Sequence, residues 1–434
     1  MITDNNKKLA QWAMDFALKN GCQAAKVVLY ANSNTSFELR DAKMDRLQQA
    51  SESGMGINVY VDGRYGNYST NRLDKKELET FIKNGIESTR YLAPDEFRVL
   101  ADPARYYTGG KPDLQMFGVN PDDKVALARA AAEEAMGKND RIISVETSYS
   151  DGENASYRLM SNGFEGESKS TWYSVSASVA IRGEGEARPS DYWYGSSLFY
   201  DKLPKTDIGS VALERVLRKL GQKKAKSGKY TMVVDPINSG RMLSPVLSAL
   251  YGSSLQQKNS FLIDKLDQKV FSDKLTVMDD PHVIGANGSR YFDNEGVATE
   301  HRPIFENGVL KTYFFDTYNA KKMGVAPTIS GPSRLVLTPG DKDLNGLIAD
   351  VANGILVTGL NGGNSNSNTG DFSYGIEGFL IENGKLTQPV NEMNVTGNFL
   401  TLWNSLAAIG NDARTDRSWL VPSLVFEGVD FSGL

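Results

Sequence analysis

Apolar residues in the first ninety positions recur at helical spacing in two segments. Residues 4–20 place Leu9, Trp12 and Phe16 on one face, and Gly21 follows as the residue type that suits a left-handed helix cap. Residues 74–90 repeat this spacing with an apolar stripe formed by Leu78, Phe81, Ile82 and Ile86. Both segments are therefore predicted to be amphipathic helices.

Alternation of apolar and polar residues predicts strands between and after these helices. Ala25–Tyr30 and Met55–Val61 are predicted strands, and Asp62-Gly63 then gives a two-residue hairpin signal. Longer strands are expected on either side of Asn162-Gly163. In Tyr173–Ile181 serines alternate with small apolar residues, which predicts an antiparallel strand with one buried face.

Two more helices and a basic segment complete the N-terminal half. Asn120-Pro121 combines a capping residue with proline at the first helical position, so a helix is predicted from there to about Met136. Another helix is predicted near Asp207–Leu220. The lysine-rich segment Lys223–Lys229 is interpreted as a solvated linker to the rest of the chain.

The C-terminal half is predicted to consist mostly of strands and turns. A buried strand at Tyr230–Val234 precedes one amphipathic helix at Ser239–Tyr251. The letters Glu-Asn-Gly indicate hairpins at 306–308 and 382–384, and the tract 361–370 (NGGNSNSNTG) is predicted to be a flexible loop.

The predicted fold class is therefore α+β, because strands cluster rather than alternate strictly with helices. We expect an N-terminal α/β half with antiparallel strands and flanking helices, at residues 1–222, and a β-rich C-terminal half at residues 223–434.

The amino-acid composition argues against a nucleic-acid-binding protein and against a membrane-spanning protein. A net charge of −5 argues against the clustered basic surface that binds nucleic acid. No window approaches the roughly 20 apolar residues that a membrane helix needs, and the N-terminus lacks the apolar core of a signal peptide. One cysteine, Cys22, cannot form an internal disulfide. We therefore expect a cytoplasmic protein in which Cys22 is a small buried side chain.

Several segments together resemble the TldD/PmbA family, whose members were once labelled modulators of DNA gyrase and are understood as peptide-processing metallopeptidases. They occur in the family's order and span nearly the whole chain: GMGINVYVDGRYG (54–66), SNGFEG (161–166), DYWY (191–194), the run from Asp279 to Gly324 that begins DDPHVIGANG, TGDFSYGIEGFLIENG (369–384) and AAIGND (407–412). The resemblance implies an α/β N-terminal part and a β-rich C-terminal part, in agreement with the pattern above.

The family has two branches, and the C-terminal half resembles the PmbA-like branch, also called TldE. The TldD-like branch carries HExxxH on a helix and a late cysteine, which together hold zinc. Here the flanking pattern places Leu243 at the first histidine, Ser244 at the glutamate and Ser248 at the second histidine. Leucine has no lone pair and neutral serine is a poor zinc ligand. We expect no catalytic residue and no metal ligand in this chain, and zinc only in a TldD-like partner.

Other candidate chemistry is weaker. His282 and His301, with carboxylates nearby, match no ligand spacing, and a structural role is favoured for both. The carboxylate pairs Asp279/Asp280 and Asp293/Glu295 are interpreted as turn-capping groups rather than an acid and a base. No G-x-S-x-G elbow indicates a serine nucleophile.

One segment is a candidate for contact with substrate. In the family, the region that matches Thr369–Gly378 lies near the cleft, so the resemblance implies that Asp371, Phe372 and Ser373 shape or contact the bound peptide. A structural turn is the favoured interpretation of this segment, and substrate contact is the functional alternative.

The favoured hypothesis is a non-catalytic PmbA/TldE-like subunit that pairs with a TldD-like zinc peptidase and holds an unfolded peptide, in an extended form that adds to a sheet edge. One alternative is a homodimeric peptide-binding or regulatory protein of the gyrase-modulator type, with no peptidase partner. Another is an independent peptidase with an unrecognised site. A dimer, hetero or homo, is expected, with no nucleic acid and no membrane as partner.

Overall fold

The structure is a computed structural model that describes residues 2–109, 118–119 and 121–434. The helices in this part of the chain are α1 (Asp4–Lys19), α2 (Lys75–Thr89), α3 (Pro121–Ala135), α4 (Ile208–Leu217), α5 (Gly240–Ser248), α6 (Gly252–Gln256), α7 (Thr317–Met323), α8 (Leu344–Ala349) and α9 (Phe399–Asn404). The predicted cap Asn120 lies outside the described residues. No helix of the described chain is both long enough and apolar enough to span a bilayer.

The strands are concentrated in two blocks, with a third set of short strands between them. They are β1 (Ala24–Arg40), β2 (Lys43–Val61), β3 (Arg64–Thr70), β4 (Ile142–Met160), β5 (Phe164–Ile181), β6 (Ser190–Ser197), β7 (Gly228–Val234), β8 (Val277–Asp279), β9 (Arg302–Glu306), β10 (Val309–Leu310), β11 (Leu335–Leu337), β12 (Asn353–Ser365), β13 (Asp371–Glu382), β14 (Lys385–Asn398), β15 (Leu406–Ile409), β16 (Trp419–Leu420) and β17 (Leu424–Ser432). The distribution confirms the predicted α+β class and the β-rich C-terminal half.

The N-terminal half is one antiparallel sheet with helices on one face. Its strand order is β3-β2-β1-β4-β5-β6. Alternate residues such as Val27 and Leu29 of β1 bury one face against α1 and α2, while Val175 and Val179 of β5 bury the same face against α3 and α4. The other face carries polar side chains and is turned toward the C-terminal half.

The strands β1 and β2 are much longer than the sequence pattern predicts. They contain 17 and 19 residues, whereas alternation indicates only Ala25–Tyr30 and Met55–Val61. Residues 43–53 of β2 pair with β1 but are exposed, so their backbone is ordered without burial of a face. Alternation of apolar and polar residues indicates which strands have a buried face, not which strands are paired. It therefore does not predict residues 43–53.

The C-terminal half contains two sheets around a large aromatic core. One has the order β10-β9-β8-β11-β16; the other has the order β14-β13-β12-β7-β17-β15. The additional pairing of β14 with β17 closes β7, β12, β13, β14 and β17 into a barrel. Fully buried side chains of Phe271, Phe305, Phe426 and Trp403 fill the core beside it.

Both Glu-Asn-Gly hairpins are confirmed. They join β9 to β10 and β13 to β14, and Asn307, Gly308, Asn383 and Gly384 all have positive φ, as a type I′ turn requires.

The predicted flexible loop at 361–370 is wrong in its first half. Residues 361–365 belong to β12, where Asn364 pairs with Ser373 of β13. A register shift between Asn361 and Asn364 accommodates two positive-φ glycines, Gly362 and Gly363, as a bulge. Glycine and asparagine signal a loop in the sequence, but here they bend a strand.

The predicted helix at Ser239–Tyr251 is shorter in the structure, where α5 ends at Ser248. Tyr251 adopts an extended backbone and forms a bridge with Phe314, which stops the helix before α6 begins.

A buried ion-pair network joins the two halves. The ammonium group of Lys219, which follows α4, lies 3.2 Å from Asp191 of β6 and 2.7 Å from Glu377 of β13. Arg215 of α4 also pairs with Asp191 at 3.2 Å. The Lys219 and Asp191 side chains are each only 7% exposed, so their opposite charges are paired at a site that bulk water hardly reaches.

Candidate functional site

The helix α5 begins at a rigid turn after β7. The carboxylate of buried Asp235 accepts hydrogen bonds from the Asn238 backbone N–H at 2.9 Å and from its Nδ2 at 2.8 Å. Burial raises the pKa of Asp235 to about 6, and the hydrogen bonds from Asn238 partly oppose that shift. Ser239 donates its hydroxyl to the carbonyl of Val421. The first turn of α5 is thereby fixed against both β7 and the segment before β17.

The side chains of α5 divide between core and surface. Leu243, Val246 and Leu247 are buried in the C-terminal core, as the predicted apolar face requires. Ser244 is half-buried and lines a cavity, while Ser248 is exposed and donates its hydroxyl to the Ser244 carbonyl at 3.0 Å. The structure therefore does not bring Leu243, Ser244 and Ser248 together at one point.

The zinc that the family resemblance implies does not fit these residues. Leu243 offers no donor atom, and Ser248 points away from the core that surrounds Leu243. Among the described residues, no group of three or more histidine, cysteine, aspartate or glutamate side chains could hold a metal ion.

The two histidines lie apart from α5. The Nε2 atom of His282 is 3.1 Å from the Thr299 hydroxyl, and its ring packs against Tyr291 with centroids 5.2 Å apart. His301 is exposed. These contacts agree with the structural role predicted for His282.

The carboxylates of the 279–300 segment stabilise turns. Asp279 accepts hydrogen bonds from the backbone N–H groups of Ser333 and Arg334, and Asp293 accepts them from Glu295 and Val297. Asp293 therefore caps a turn as predicted, whereas Asp279 joins the end of β8 to the segment before β11.

Two adjoining cavities form a groove from the uncovered face of the N-terminal sheet to α5. A first cavity of about 350 Å³, at Ser51–Ser53 of β2, lies on the helix-covered face of that sheet, beside Ile2 and Leu73, and does not belong to the groove. A second cavity of about 400 Å³ lies on the uncovered face. The second shares Asn287–Gly288 with a third cavity of about 690 Å³, which reaches Ser244.

The groove is walled by the uncovered face of the N-terminal sheet and by the 285–290 loop. The sheet contributes polar side chains, namely those of Asn154, Ser156, Arg158, Ser168 and Ser170. In the loop, Gly288 has a φ of 83°, and an added Cβ would lie 2.7 Å from the Ser333 carbonyl oxygen. Only glycine fits there without displacing backbone.

The third cavity, which we call the arginine cavity, is lined by Arg241, Arg414 and Arg417 with one carboxylate, Asp416. Arg414 forms a bidentate pair with Asp416, at 3.0 Å from Nε to Oδ1 and 2.7 Å from Nη2 to Oδ2. Burial alone would raise the pKa of Asp416, but the hydrogen bonds and charge of Arg414 outweigh it and lower that pKa. Three guanidinium groups and one carboxylate leave the arginine cavity with two excess positive charges.

Aromatic side chains of β6 support these guanidinium groups. The Arg414 guanidinium lies 4.3 Å from the Tyr194 ring centroid and 5.0 Å from that of Trp193. Arg417 donates from Nε to the Tyr194 hydroxyl at 3.1 Å and from Nη1 to the Ile237 carbonyl at 3.1 Å. The DYWY segment thus places the N-terminal sheet against the arginines. Sequence reasoning quoted DYWY but missed the arginines, which follow AAIGND within ARTDR.

The three residues predicted to contact substrate lie at the start of β13. Phe372 is buried and packs on Phe399, with ring centroids 4.7 Å apart. Asp371 is exposed and accepts hydrogen bonds from Asn398 at 2.9 Å and Thr369 at 2.7 Å, which lower its pKa. Ser373 is exposed. None of the three lines the cavities of the groove described above. Their contact with a peptide stays a prediction.

Comparison with known proteins gives consistent matches along the chain. Sequence models described as PmbA/TldA metallopeptidase domain 1, central domain and C-terminal domain match residues 25–89, 117–220 and 227–433. The metalloprotease PmbA homologue of Haemophilus influenzae is 28% identical over 98% of this chain and 96% of its own length. The metalloprotease PmbA of Escherichia coli O157:H7 is 27% identical over 98% of this chain and 97% of its own length.

Comparison with solved structures finds proteins that share this fold. A Bacteroides thetaiotaomicron protein, described as a proposed modulator of DNA gyrase, is 73% identical with a TM-score of 0.98, and each chain is covered in full. TldE from Thermococcus kodakarensis shares the fold, with a TM-score of 0.84 at 20% identity, covering 98% of this chain and all of its own. The family segments, the fold and these matches agree, and the chain belongs to the PmbA/TldD family of metallopeptidase-like proteins.

Proposed function

We propose that this protein is the non-catalytic, PmbA/TldE-like subunit of a cytoplasmic TldD/PmbA-type metallopeptidase. The TldD-like partner supplies zinc, the activated water and the base, while this chain holds an unfolded peptide. The observation that carries the proposal is the division of α5, which buries Leu243 and exposes Ser248 at the positions that match the two histidines of HExxxH. A side chain without lone pairs cannot be converted into a ligand by a small movement.

The groove supports a role in holding peptides. Residues 43–53 of β2 offer a second surface, because their outer edge pairs with no strand in the described part of the chain. An extended peptide can bind such an edge through main-chain hydrogen bonds, which are available in any sequence. Selection then depends on which chains are unfolded enough to enter.

One observation favours a second candidate function, a homodimeric regulatory protein without a peptidase partner. Met44 and Leu47 on the same free edge are 49% and 60% exposed, and two copies could cover these side chains around a two-fold axis. The Bacteroides thetaiotaomicron relative is described as a proposed DNA gyrase modulator, which fits this class.

Co-expression with the TldD-like protein of the same cell distinguishes the two functions. We expect a one-to-one complex by size exclusion with light scattering, and cleavage of an unfolded peptide by the complex. The matched control replaces the HExxxH glutamate of the partner with glutamine, which should abolish cleavage without dissociating the complex. Absence of any mixed complex, with a stable homodimer of this chain, would favour the regulatory function.

A further inference from the structure

The arginine cavity has a charge that the ion pairs of the fold do not neutralise. Arg414 is matched by Asp416, whereas Arg241 and Arg417 form no ion pair in the described part of the chain. Isolated guanidinium groups around one cavity raise the local concentration of anions. The cavity therefore has a positive electrostatic potential that favours anionic ligands.

The two unmatched guanidinium groups also keep free hydrogen-bond donors. Each has five N–H groups. Arg417 uses three of them, two toward the Tyr194 hydroxyl and one toward the Ile237 carbonyl. Arg241 donates one hydrogen bond, from Nη1 to the Leu360 carbonyl at 2.5 Å. The three bonds of Arg417 hold its guanidinium plane in place, so an incoming anion meets preorganised donors there, while Arg241 adds a more mobile, exposed guanidinium.

The position of the cavity limits what kind of anion can use it. It adjoins the cavity over the uncovered face of the N-terminal sheet through Asn287 and Gly288, and it contains Ser244 at the position matching the family's catalytic glutamate. A chain lying in the groove would therefore bring its own anionic group to Arg241 and Arg417. In a peptide that group is a carboxylate, whose planar fork matches a guanidinium in a bidentate arrangement.

We propose that the arginine cavity binds a carboxylate of the held peptide, and that Arg241 and Arg417 select for peptides that carry one there. This inference rests on the proposed function and adds the substrate class to it. The carboxylate comes either from an aspartate or glutamate side chain or from the C-terminus of the peptide. Both sources present the same two oxygens to the cavity.

Four fluorescent peptides test the proposal with the purified full-length chain. All share a flexible glycine, serine and alanine sequence; they carry either aspartate or asparagine at one internal position, and either a free or an amidated C-terminus. By fluorescence anisotropy, we expect a peptide with a carboxylate in the cavity to bind about tenfold more tightly than the fully neutral peptide. Comparison of the two single-carboxylate peptides identifies which source is used.

Three variants test whether Arg241 and Arg417 cause the preference for a carboxylate. Arg241→Gln and Arg417→Gln should each bring the ratio of the two affinities, for the carboxylate peptide and for the neutral peptide, down to about one. Arg72→Gln removes the same charge from a side chain that is 75% exposed and outside the groove, so it should retain the preference. Because Arg417 packs on Tyr194, its variant is accepted only with an unchanged melting temperature; Arg241 is exposed and gives an independent reading.

Equal binding of all four peptides would overturn the proposal, as would an equal loss of preference in Arg72→Gln. Failure of every peptide to bind, both to the chain alone and to its complex with the TldD-like partner, would overturn it too. A complex that forms and cleaves without carboxylate preference refutes the cavity's role alone. Carboxylate preference without any partner complex refutes the peptidase-subunit role and leaves the cavity's role intact.

Discussion

Leu243 and Ser248 project from different sides of α5, one fully buried in the C-terminal core and the other exposed. Five positions on an ideal helix are separated by about 140°, so this division follows from helical geometry. Histidines at both positions would need a distorted helix to reach one ion. In this chain α5 has ordinary core spacing, and its buried face is used for packing.

The first prediction concerns the packing role of Leu243. Leu243→Ala should destabilise the C-terminal half by about 2–5 kcal/mol, because it removes a fully buried side chain and leaves a cavity. Ser248→Ala on the exposed side should change stability by about 0.5 kcal/mol or less. Urea unfolding followed by tryptophan fluorescence measures both. Equal effects of the two substitutions would contradict the division of α5.

The second prediction concerns the ion pairs between the halves. Lys219→Met should destabilise the protein by about 3 kcal/mol, because Asp191 and Glu377 lose a cation in a site that is largely shielded from water. The control Lys229→Met removes a cation whose pair with Asp430 is exposed, and should cost less than about 1 kcal/mol. Thermal unfolding of both variants tests this, and a loss no larger than that of the control would show that the network adds nothing.

The third prediction concerns pH. Burial raises the pKa of Asp235 to about 6 in the folded state, above the usual value near 3.8, so folding favours the protonated form. Its stabilising contribution is complete below pH 4 and is lost as pH rises through 6, by about 3 kcal/mol in total. Asp235→Asn, which keeps the acceptor for Asn238, should lack this dependence. Its stability relative to wild type should therefore rise between pH 4 and pH 8.

The matched control for this pH series is Asp371→Asn at an exposed carboxylate. Hydrogen bonds from Asn398 and Thr369 lower the pKa of Asp371, so its difference from wild type should be constant between about pH 5 and pH 8. A constant difference for Asp235→Asn as well would mean that Asp235 ionises normally in the fold.

The fourth prediction concerns the single cysteine. Burial raises the pKa of Cys22 to about 11, and its side chain is 7% exposed, so the thiol should not react with iodoacetamide at pH 8 until the N-terminal half unfolds. Ser51→Cys adds a thiol on the exposed edge of β2 and should be labelled once per chain under native conditions. Mass spectrometry counts the labels. Rapid native labelling at Cys22 would contradict its burial.

Elements with a buried face could be predicted from the sequence, and elements ordered by pairing alone could not. The stripe of Leu78, Ile82 and Ile86 predicts α2 within one residue at each end, because that face packs on the sheet. Residues 43–53 of β2 have no buried face and give no periodic signal. The Asn-Gly turns were predictable because positive φ is a local requirement.

The candidate site was predictable only in its negative part. Leu243 and Ser248 are in one helix, so the local pattern predicted that one is buried and the other exposed. The arginine cavity joins Arg241 of α5 to Arg417, which lies far along the chain, through Tyr194 of the N-terminal sheet. No local sequence pattern predicts that these residues lie close together, because their proximity depends on how the two halves pack. The burial of Phe372, in a glycine-rich segment, was likewise not predictable from its local pattern.

The measurement that tests the central claim most directly is the zinc content of this chain alone and of its complex with the TldD-like protein. Both samples are purified in parallel, and peptide cleavage is measured on the same material. We predict no stoichiometric zinc and no cleavage for the chain alone, and one zinc ion per one-to-one complex with cleavage. One zinc ion per molecule of this chain alone, together with cleavage, would contradict the account.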